Sequence, residues 1–316
     1  MTVNRDDSNR SGVKTIAVIG CGLMGCGVAE VAALAGFDVV AIKATAGDAA
    51  PIRLKIEKSF ERAVTNGKLT AEKRDEALAR IKVSSDLGDA AEADLVIESA
   101  VESAIAKKRL LSELESIVRS DAIIASNTSS LRLSELAECL RDPSRFLAMH
   151  FFSPVPAMKL VEIAGTERTD RAICQTAVEV AHAMGKTPVV VSPTPGYVVN
   201  RLLVPLLLHA IESLESGVAS AAEIDTAMKL GCGHPMGPLA LCDLIGLDVV
   251  LAMAKTLSVE LNDPRYRAPS LLRRLVLEGH LGRKTKLGFY DYATKEPVAN
   301  AAIERGNGRA AIASVA

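Results

Sequence analysis

Paired cysteines, a surplus of charge of one sign and long apolar runs are all missing from this chain, and each absence narrows its function. The six cysteines stand at 21, 26, 139, 174, 232 and 242, with no CxxC pair and no histidine at metal-ligand spacing. A zinc site or disulfide framework is therefore not expected, and the cysteines are predicted to be reduced packing residues. Formal net charge is −1, from 37 basic and 38 acidic side chains without a long basic run. This disfavours nucleic acid or a membrane surface as partner. No apolar stretch is long enough to span a bilayer, and residues 1–12 lack the apolar core of a signal peptide. A cytoplasmic protein with a small-molecule partner and no metal is expected.

With 316 residues and 49% hydrophobic content, the chain can bury a sizeable core and divides into about two domains. Apolar runs at 15–19, 38–42, 94–98, 122–126, 146–150, 160–163 and 187–191 predict buried strands. Helical patterns at 26–35, 50–65, 70–79, 104–118 and 170–184 alternate with them. The alternation predicts an α/β fold, a Rossmann-type doubly wound and mostly parallel sheet over residues 13–194. After the break Ser192-Pro-Thr-Pro195-Gly196, segments 198–215, 221–230, 238–258 and 269–278 predict helices, an all-α C-terminal domain over 195–295. Its first helix carries Leu202-Leu203-Val204-Pro205-Leu206-Leu207-Leu208, more apolar surface than a small domain needs, and is expected to bury against a second subunit or against the first domain. Tails at 1–12 and 296–316 are expected to be disordered.

The most informative stretch runs from Lys14 to Val31, where an apolar strand enters Gly20-Cys-Gly22-Leu23-Met24-Gly25 and then a helix. Gly20 permits the tight turn, Gly22 lets the backbone approach a pyrophosphate, and Gly25 lets helix and strand pack closely. The helix N-terminus then faces the phosphates of a dinucleotide. In an open α/β sheet, chemistry sits outside the carboxyl ends of the strands. Three polar groups converge there: the Ser126-Asn127-Thr128-Ser129-Ser130 turn, His150 at the end of one strand, and Glu162 in the next. Oxidising a hydroxyl requires a base exchanging protons near neutral pH, which suits the imidazole of His150. A carboxylate on the other ring nitrogen fixes the tautomer, the role that suits Glu162. Ser129 is also placed to cap a helix beginning near Leu131.

These residues resemble the 3-hydroxyacyl-CoA dehydrogenases over nearly the whole chain. Further matching segments are Asp94-Leu-Val-Ile-Glu98, Ala125-Ser-Asn-Thr-Ser-Ser-Leu131, His150-Phe-Phe-Ser-Pro-Val-Pro-Ala-Met-Lys-Leu-Val-Glu162 and Thr194-Pro-Gly-Tyr-Val-Val-Asn-Arg201. Asp225-Thr-Ala-Met-Lys-Leu-Gly231, Pro235-Met-Gly-Pro238 and Gly282-Arg-Lys-Thr285 complete the set. The resemblance implies hydride transfer between a nicotinamide cofactor and a short-chain 3-hydroxyacyl thioester of the 3-hydroxybutyryl or acetoacetyl type. It implies His150 as the base, Glu162 as its orienting partner, and Ser129 and Asn200 as hydrogen-bonding partners of substrate. It further implies that Glu102, Lys107, Asn127 and Lys284 line the cofactor. Ser59 and Lys68 would contact the CoA portion, and a homodimer would form through the helical domain.

Three departures from the family pattern bear on specificity. Lys43 ends the second strand, where relatives using NAD carry an aspartate for the adenosine ribose; an ammonium favours the 2′-phosphate of NADP, leaving NAD or NADP open. Ser153 replaces the usual asparagine after His-Phe-Phe, which loosens contacts to nicotinamide or substrate. Lys286-Leu287 follows Gly-Arg-Lys-Thr, where a glycine is usual. Alternative readings are a dehydrogenase for an acyl-carrier-protein-bound substrate, for a free hydroxy acid or sugar acid, or a cofactor-binding protein without catalysis.

Overall fold

The computed structural model describes residues 11–45, 47–294 and 296–306, with only the backbone for 304–306. The chain forms two compact units, divided between Tyr197 and Val198.

The first unit alternates β1 (Thr15–Ile19), α1 (Leu23–Leu34), β2 (Asp38–Ile42), α2 (Ala50–Thr65), α3 (Ala71–Ala79) and β3 (Ile81–Ser84). It continues through β4 (Leu95–Glu98), α4 (Ala104–Ile117), β5 (Ile123–Ser126), α5 (Leu133–Ala137), β6 (Phe146–Phe151), β7 (Leu160–Gly165), α6 (Arg171–Ala183) and β8 (Thr187–Val190). The strands form one eight-stranded sheet in the order β3-β2-β1-β4-β5-β6-β7-β8. The continuous apolar runs of β4 and β5 are buried along their whole length, as strands covered on both faces require. All neighbouring pairs are parallel except β6 with β7. The connection between those two spans only residues 152–159, too short for the crossover that parallel strands need. Strand order reverses between β1 and β4, so a crevice opens at their carboxyl ends.

One strand escaped the sequence pattern. β3, Ile-Lys-Val-Ser, is a four-residue edge strand with one fully buried side chain, so its apolar signal is faint. Local caps set helix starts as composition suggests: the Thr70 hydroxyl accepts from Lys73 N at 3.3 Å, and Ser103 accepts from Ala106 N at 3.5 Å.

The second unit contains α7 (Val199–Glu215), α8 (Ala221–Cys232), α9 (Pro238–Ile245), α10 (Leu247–Leu261), α11 (Ser270–Leu277), β9 (Tyr290–Asp291), β10 (Val298–Ala299) and α12 (Ala301–Gly306). Two expectations are corrected here. The helix expected over 238–258 is broken at Gly246, whose φ of 103° ends α9 before α10 begins. The tail expected to be disordered from 296 instead adds β10, antiparallel to β9, and α12 as far as 306. Asn300 Nδ2 donates to the Gly288 carbonyl at 2.8 Å, and Ile303 is buried in this unit's core. Both anchors are single residues, so composition hides them. Residues 1–10 and 307–316 of the expected tails lie outside the described residues.

The apolar face of α7 is also partly accounted for within its own unit. Val204, Leu207, Leu208 and Ile211 enter the helical core, whereas Leu202 stays exposed. Among the described residues, no helix is long and apolar enough to cross a membrane.

Candidate active site

A cavity of about 1220 Å³ opens at the carboxyl ends of β1, β2 and β4. Its floor is the Gly20–Met24 turn, one wall is Lys43, Ala44 and Thr45, and the other is Ser99, Ala100 and Val101 with α4. The glycines divide the labour as the sequence predicts. Gly20 has φ 93°, and a Cβ there would stand 2.7 Å from Ala100 N. A Cβ on Gly25 would lie 2.3 Å from the Gly20 carbonyl oxygen, whereas one on Gly22 meets nothing within 4 Å. Gly22 therefore leaves open space above the N-terminus of α1, which has no capping side chain and no acidic residue in its first turn. Bare helix donors beside a deep cavity suit a pyrophosphate.

Lys43 leaves β2 into this cavity, its Nζ 3.1 Å from where a Gly47 Cβ would stand. The structure adds two further cations to the same walls, Lys55 from α2 and Arg109 from α4. Helical spacing was the available signal, since Pro51, Ile52 and Lys55 share one face of α2. Asp48 also lines the cavity, but its Oδ1 accepts from Ala50 N at 2.9 Å at the start of α2.

A half-buried polar relay leads from this cavity to the ends of β5 and β6. Asn127 donates from Nδ2 to Ser99 Oγ at 3.0 Å and accepts on Oδ1 from Phe151 N at 2.8 Å. Beneath it, Glu98 accepts from Ala100 N, Ser126 Oγ and Lys107 Nζ at 2.7, 2.6 and 2.6 Å. Lys107 is buried with it and also lies 3.5 Å from Glu102. Its ammonium is thus held under the site rather than presented to the cavity.

Glu102 gathers the turn after β5. Its Oε1 accepts from Thr128 Oγ1 at 2.8 Å, Ser129 N at 2.9 Å, Ser129 Oγ at 3.3 Å and Ser130 N at 3.0 Å. Burial pushes the Glu102 carboxyl up, but Lys107 and these donors outweigh it and hold the group below its usual range. The expectation that Ser129 caps a helix near Leu131 is corrected: α5 begins at Leu133 without a side-chain cap, and Ser129 turns to Glu102 instead.

His150 and Glu162 meet as predicted. His150 Nδ1 lies 2.8 Å from Glu162 Oε2, and both side chains are buried. The imidazole is packed against Phe152 at 4.5 Å and Tyr197 at 5.4 Å between ring centroids, both in segments that carry the resemblance but to which the sequence assigned no role. Ser153 stands exposed in the following loop, which Lys186 pins by donating to the Val155 and Met158 carbonyls at 2.5 and 2.9 Å.

The remaining candidates lie apart from this cluster or in the other unit. Ser59 donates to the buried Glu30 carboxylate at 2.7 Å, and Lys68 is exposed beyond the end of α2. Asn200 stands in the first turn of α7, and Lys284 Nζ pairs with both oxygens of Asp248 at 2.5 and 2.6 Å.

Family models for the 3-hydroxyacyl-CoA dehydrogenase NAD binding domain and C-terminal domain match residues 15–194 and 196–292. The chain belongs to the 3-hydroxyacyl-CoA dehydrogenase family. This dehydrogenase is 43% identical to the 3-hydroxybutyryl-CoA dehydrogenase of Clostridioides difficile over 88% of this chain and 99% of that one. It is 40% identical to the mitochondrial hydroxyacyl-coenzyme A dehydrogenase of Homo sapiens, over 89% and 91% of the two chains. Among solved structures it resembles (S)-3-hydroxybutyryl-CoA dehydrogenase from Ralstonia eutropha with a TM-score of 0.84, at 41% identity over 90% of this chain and all of that one. The dehydrogenase is thus an oxidoreductase with a nicotinamide-binding Rossmann domain.

Proposed function

We propose that the dehydrogenase interconverts a short-chain L-3-hydroxyacyl thioester of the 3-hydroxybutyryl-CoA type and its 3-keto counterpart. The buried His150–Glu162 pair at the carboxyl end of β6 carries this reading, since dinucleotide binding has no use for it. In the oxidation direction His150 Nε2 takes the proton of the 3-hydroxyl, and in reduction it returns that proton to the 3-oxygen. Glu162 holds Nδ1, which fixes the ring's tautomer and steadies the charge it gains. The Ser129 hydroxyl, which donates to Glu102 over a long 3.3 Å, turns from that bond to donate to the same oxygen when substrate binds. The nicotinamide, when bound, supplies the hydride chemistry at the 3-carbon. Gly20, Gly22, Leu23, Met24 and Gly25 would hold its dinucleotide, with Lys43 over the adenosine ribose.

NADP(H) is accepted on this reading. Lys43 at the end of β2, with Lys55 in the same cavity, offers positive charge where an acidic residue would bind ribose hydroxyls. A cytoplasmic homodimer through the helical unit is its expected state, supported by the exposed Leu202, Leu230, Val259 and Leu277.

The test is the initial rate with acetoacetyl-CoA, supplying NADH and NADPH in parallel. Turnover with either supports the activity, and a Lys43→Asp variant should shift the ratio of kcat/KM values toward NADH. Binding of both cofactors with consumption of neither would overturn the acyl group proposed.

A further inference from the structure

The turn Thr194-Pro-Gly-Tyr197 delivers an aromatic side chain to the His150 imidazole. Pro195 presets the second position of the turn, Gly196 takes φ 81° at the third, and Tyr197 N donates back to the Thr194 carbonyl at 3.0 Å. Tyr197 itself stands at φ 44°, a left-handed conformation that a bulky side chain adopts only under constraint. Its ring lies 5.4 Å from that of His150, between centroids, and shares an apolar cluster with Ala148 of β6 and Ala164 of β7.

One atom of this side chain is at odds with its place. The Tyr197 hydroxyl is buried and has no hydrogen-bond partner among the described residues. A buried tyrosine hydroxyl ordinarily finds a partner, because one left without it carries the full desolvation penalty. Tyr197 is 4% exposed and His150 5%, so the two rings share one enclosure, and an acyl group that reaches the imidazole meets the phenol beside it. Burial, reinforced by the carboxylates of Glu102 and Glu162, pushes the phenol far above its ordinary range; at neutral pH it keeps its proton and is a donor, not a second base. Backbone strain together with an orphaned donor points to a place where a ligand completes the hydrogen bonding.

We infer that the Tyr197 hydroxyl donates a hydrogen bond to the thioester carbonyl oxygen of the bound acyl group, and so selects 3-ketoacyl thioesters over plain ketones. The inference rests on the acyl chemistry proposed above. That acyl group brings two oxygens toward His150: the 3-oxygen, and the thioester carbonyl oxygen two carbons away. The 3-oxygen has two lone pairs, and His150 Nε2 and Ser129 fill both. The thioester oxygen is left to a third donor, and the unpartnered donor beside the imidazole is Tyr197. Ser129 must leave Glu102 to reach substrate, whereas the Tyr197 hydroxyl has no bond to break. A site built around such a bond rejects an analogue without the acceptor, because its donor then stays buried and unpaired.

The probes are acetoacetyl-CoA and its thioether analogue, in which a methylene replaces the thioester carbonyl, each with NADH and NADPH. Tyr197→Phe keeps the ring in its cluster and removes only the oxygen. It should lower kcat/KM for acetoacetyl-CoA about tenfold, the effect of one hydrogen bond, while the thioether gives the same constant in both proteins, as substrate or as inhibitor. The pH profile of kcat/KM should keep its shape, because the phenol does not titrate near neutrality. The variant's urea midpoint should hold or rise, since an unpaired buried group has gone; a structural role for the hydroxyl would lower it. Unchanged kcat/KM for acetoacetyl-CoA would overturn the inference, as would equal losses on both probes or a lower urea midpoint. Wild-type protein inert toward acetoacetyl-CoA would instead overturn the acyl chemistry, and the inference with it.

Discussion

His150 on β6 and Glu162 on β7 are register partners across the one antiparallel junction of the eight-stranded sheet, and their side chains meet at 2.8 Å. Directly opposed residues of an antiparallel pair project from the same face, so strand pairing itself delivers the carboxylate to the imidazole. A one-residue slip would send one of them to the opposite face. His150→Gln is expected to lower kcat by about 10²–10⁴-fold while leaving cofactor affinity unchanged. Glu162→Gln should lower kcat less, because the amide still fills the space beside Nδ1. Near-normal turnover of His150→Gln in a steady-state assay would remove this pair from the chemistry.

The Glu98–Lys107 pair is fully enclosed, with Glu102 the third member. Removing the cation leaves a buried carboxylate without its counter-charge, which costs about 3–5 kcal/mol. Lys107→Met should therefore fall sharply in urea midpoint, and adding Glu98→Gln should recover part of the loss. Equal stabilities of Lys107→Met and wild type would mean that Glu98 ionisation is carried by other groups.

Burial pushes the Glu30 carboxyl up to about 7, against the Ser59 hydrogen bond that pulls it down. A carboxyl raised in the folded state binds more protons there than in the unfolded chain, so its contribution is full below its ordinary value of 4.5 and is lost as pH rises through 7. Asp243, raised by burial to about 6, adds a decline of the same sign at lower pH. Unfolding free energy should drop from pH 5 to pH 8 by up to about 3 kcal/mol on account of Glu30. Glu30→Gln should flatten this part of the profile in denaturant melts at both pH values; an unchanged slope would assign it elsewhere.

Lys286 occupies the left-handed region at φ 62°. A lysine there carries the Cβ clash that glycine escapes, a penalty of about 1–2 kcal/mol, offset in part by glycine's freer unfolded chain. Lys286→Gly should thus gain about 0.5–1 kcal/mol. A lower Tm for that variant would show that the lysine side chain contributes more than its backbone strain takes away.

Much of the fold was legible because its signals are local. Strand 15–19 followed by three spaced glycines and a helix announces itself, since sterics at Gly20 and Gly25 act between near neighbours. The bounds of α2 followed from its amphipathic periodicity alone. Where the signal was weak, as in the half-exposed β3 or the two-residue β10, the reading missed the element. At the candidate site, the residue types of His150, Glu162 and Ser129 were readable, but the attachment of Ser129 to Glu102 was not. That contact joins residues 27 positions apart through a turn whose path only folding sets.

The sequence by itself determined the strand–helix alternation, the glycine turn, the change to helices after Pro195 and the imidazole with its carboxylate. These depend on backbone sterics, periodic apolar burial and residue chemistry over short spans. Only the tertiary structure decided that Lys107 is enclosed beneath the site and that Lys55 and Arg109 join Lys43. Each of these depends on the direction in which a side chain leaves its element and on what distant segments bring against it. Spacing along the chain does not carry that information; packing does.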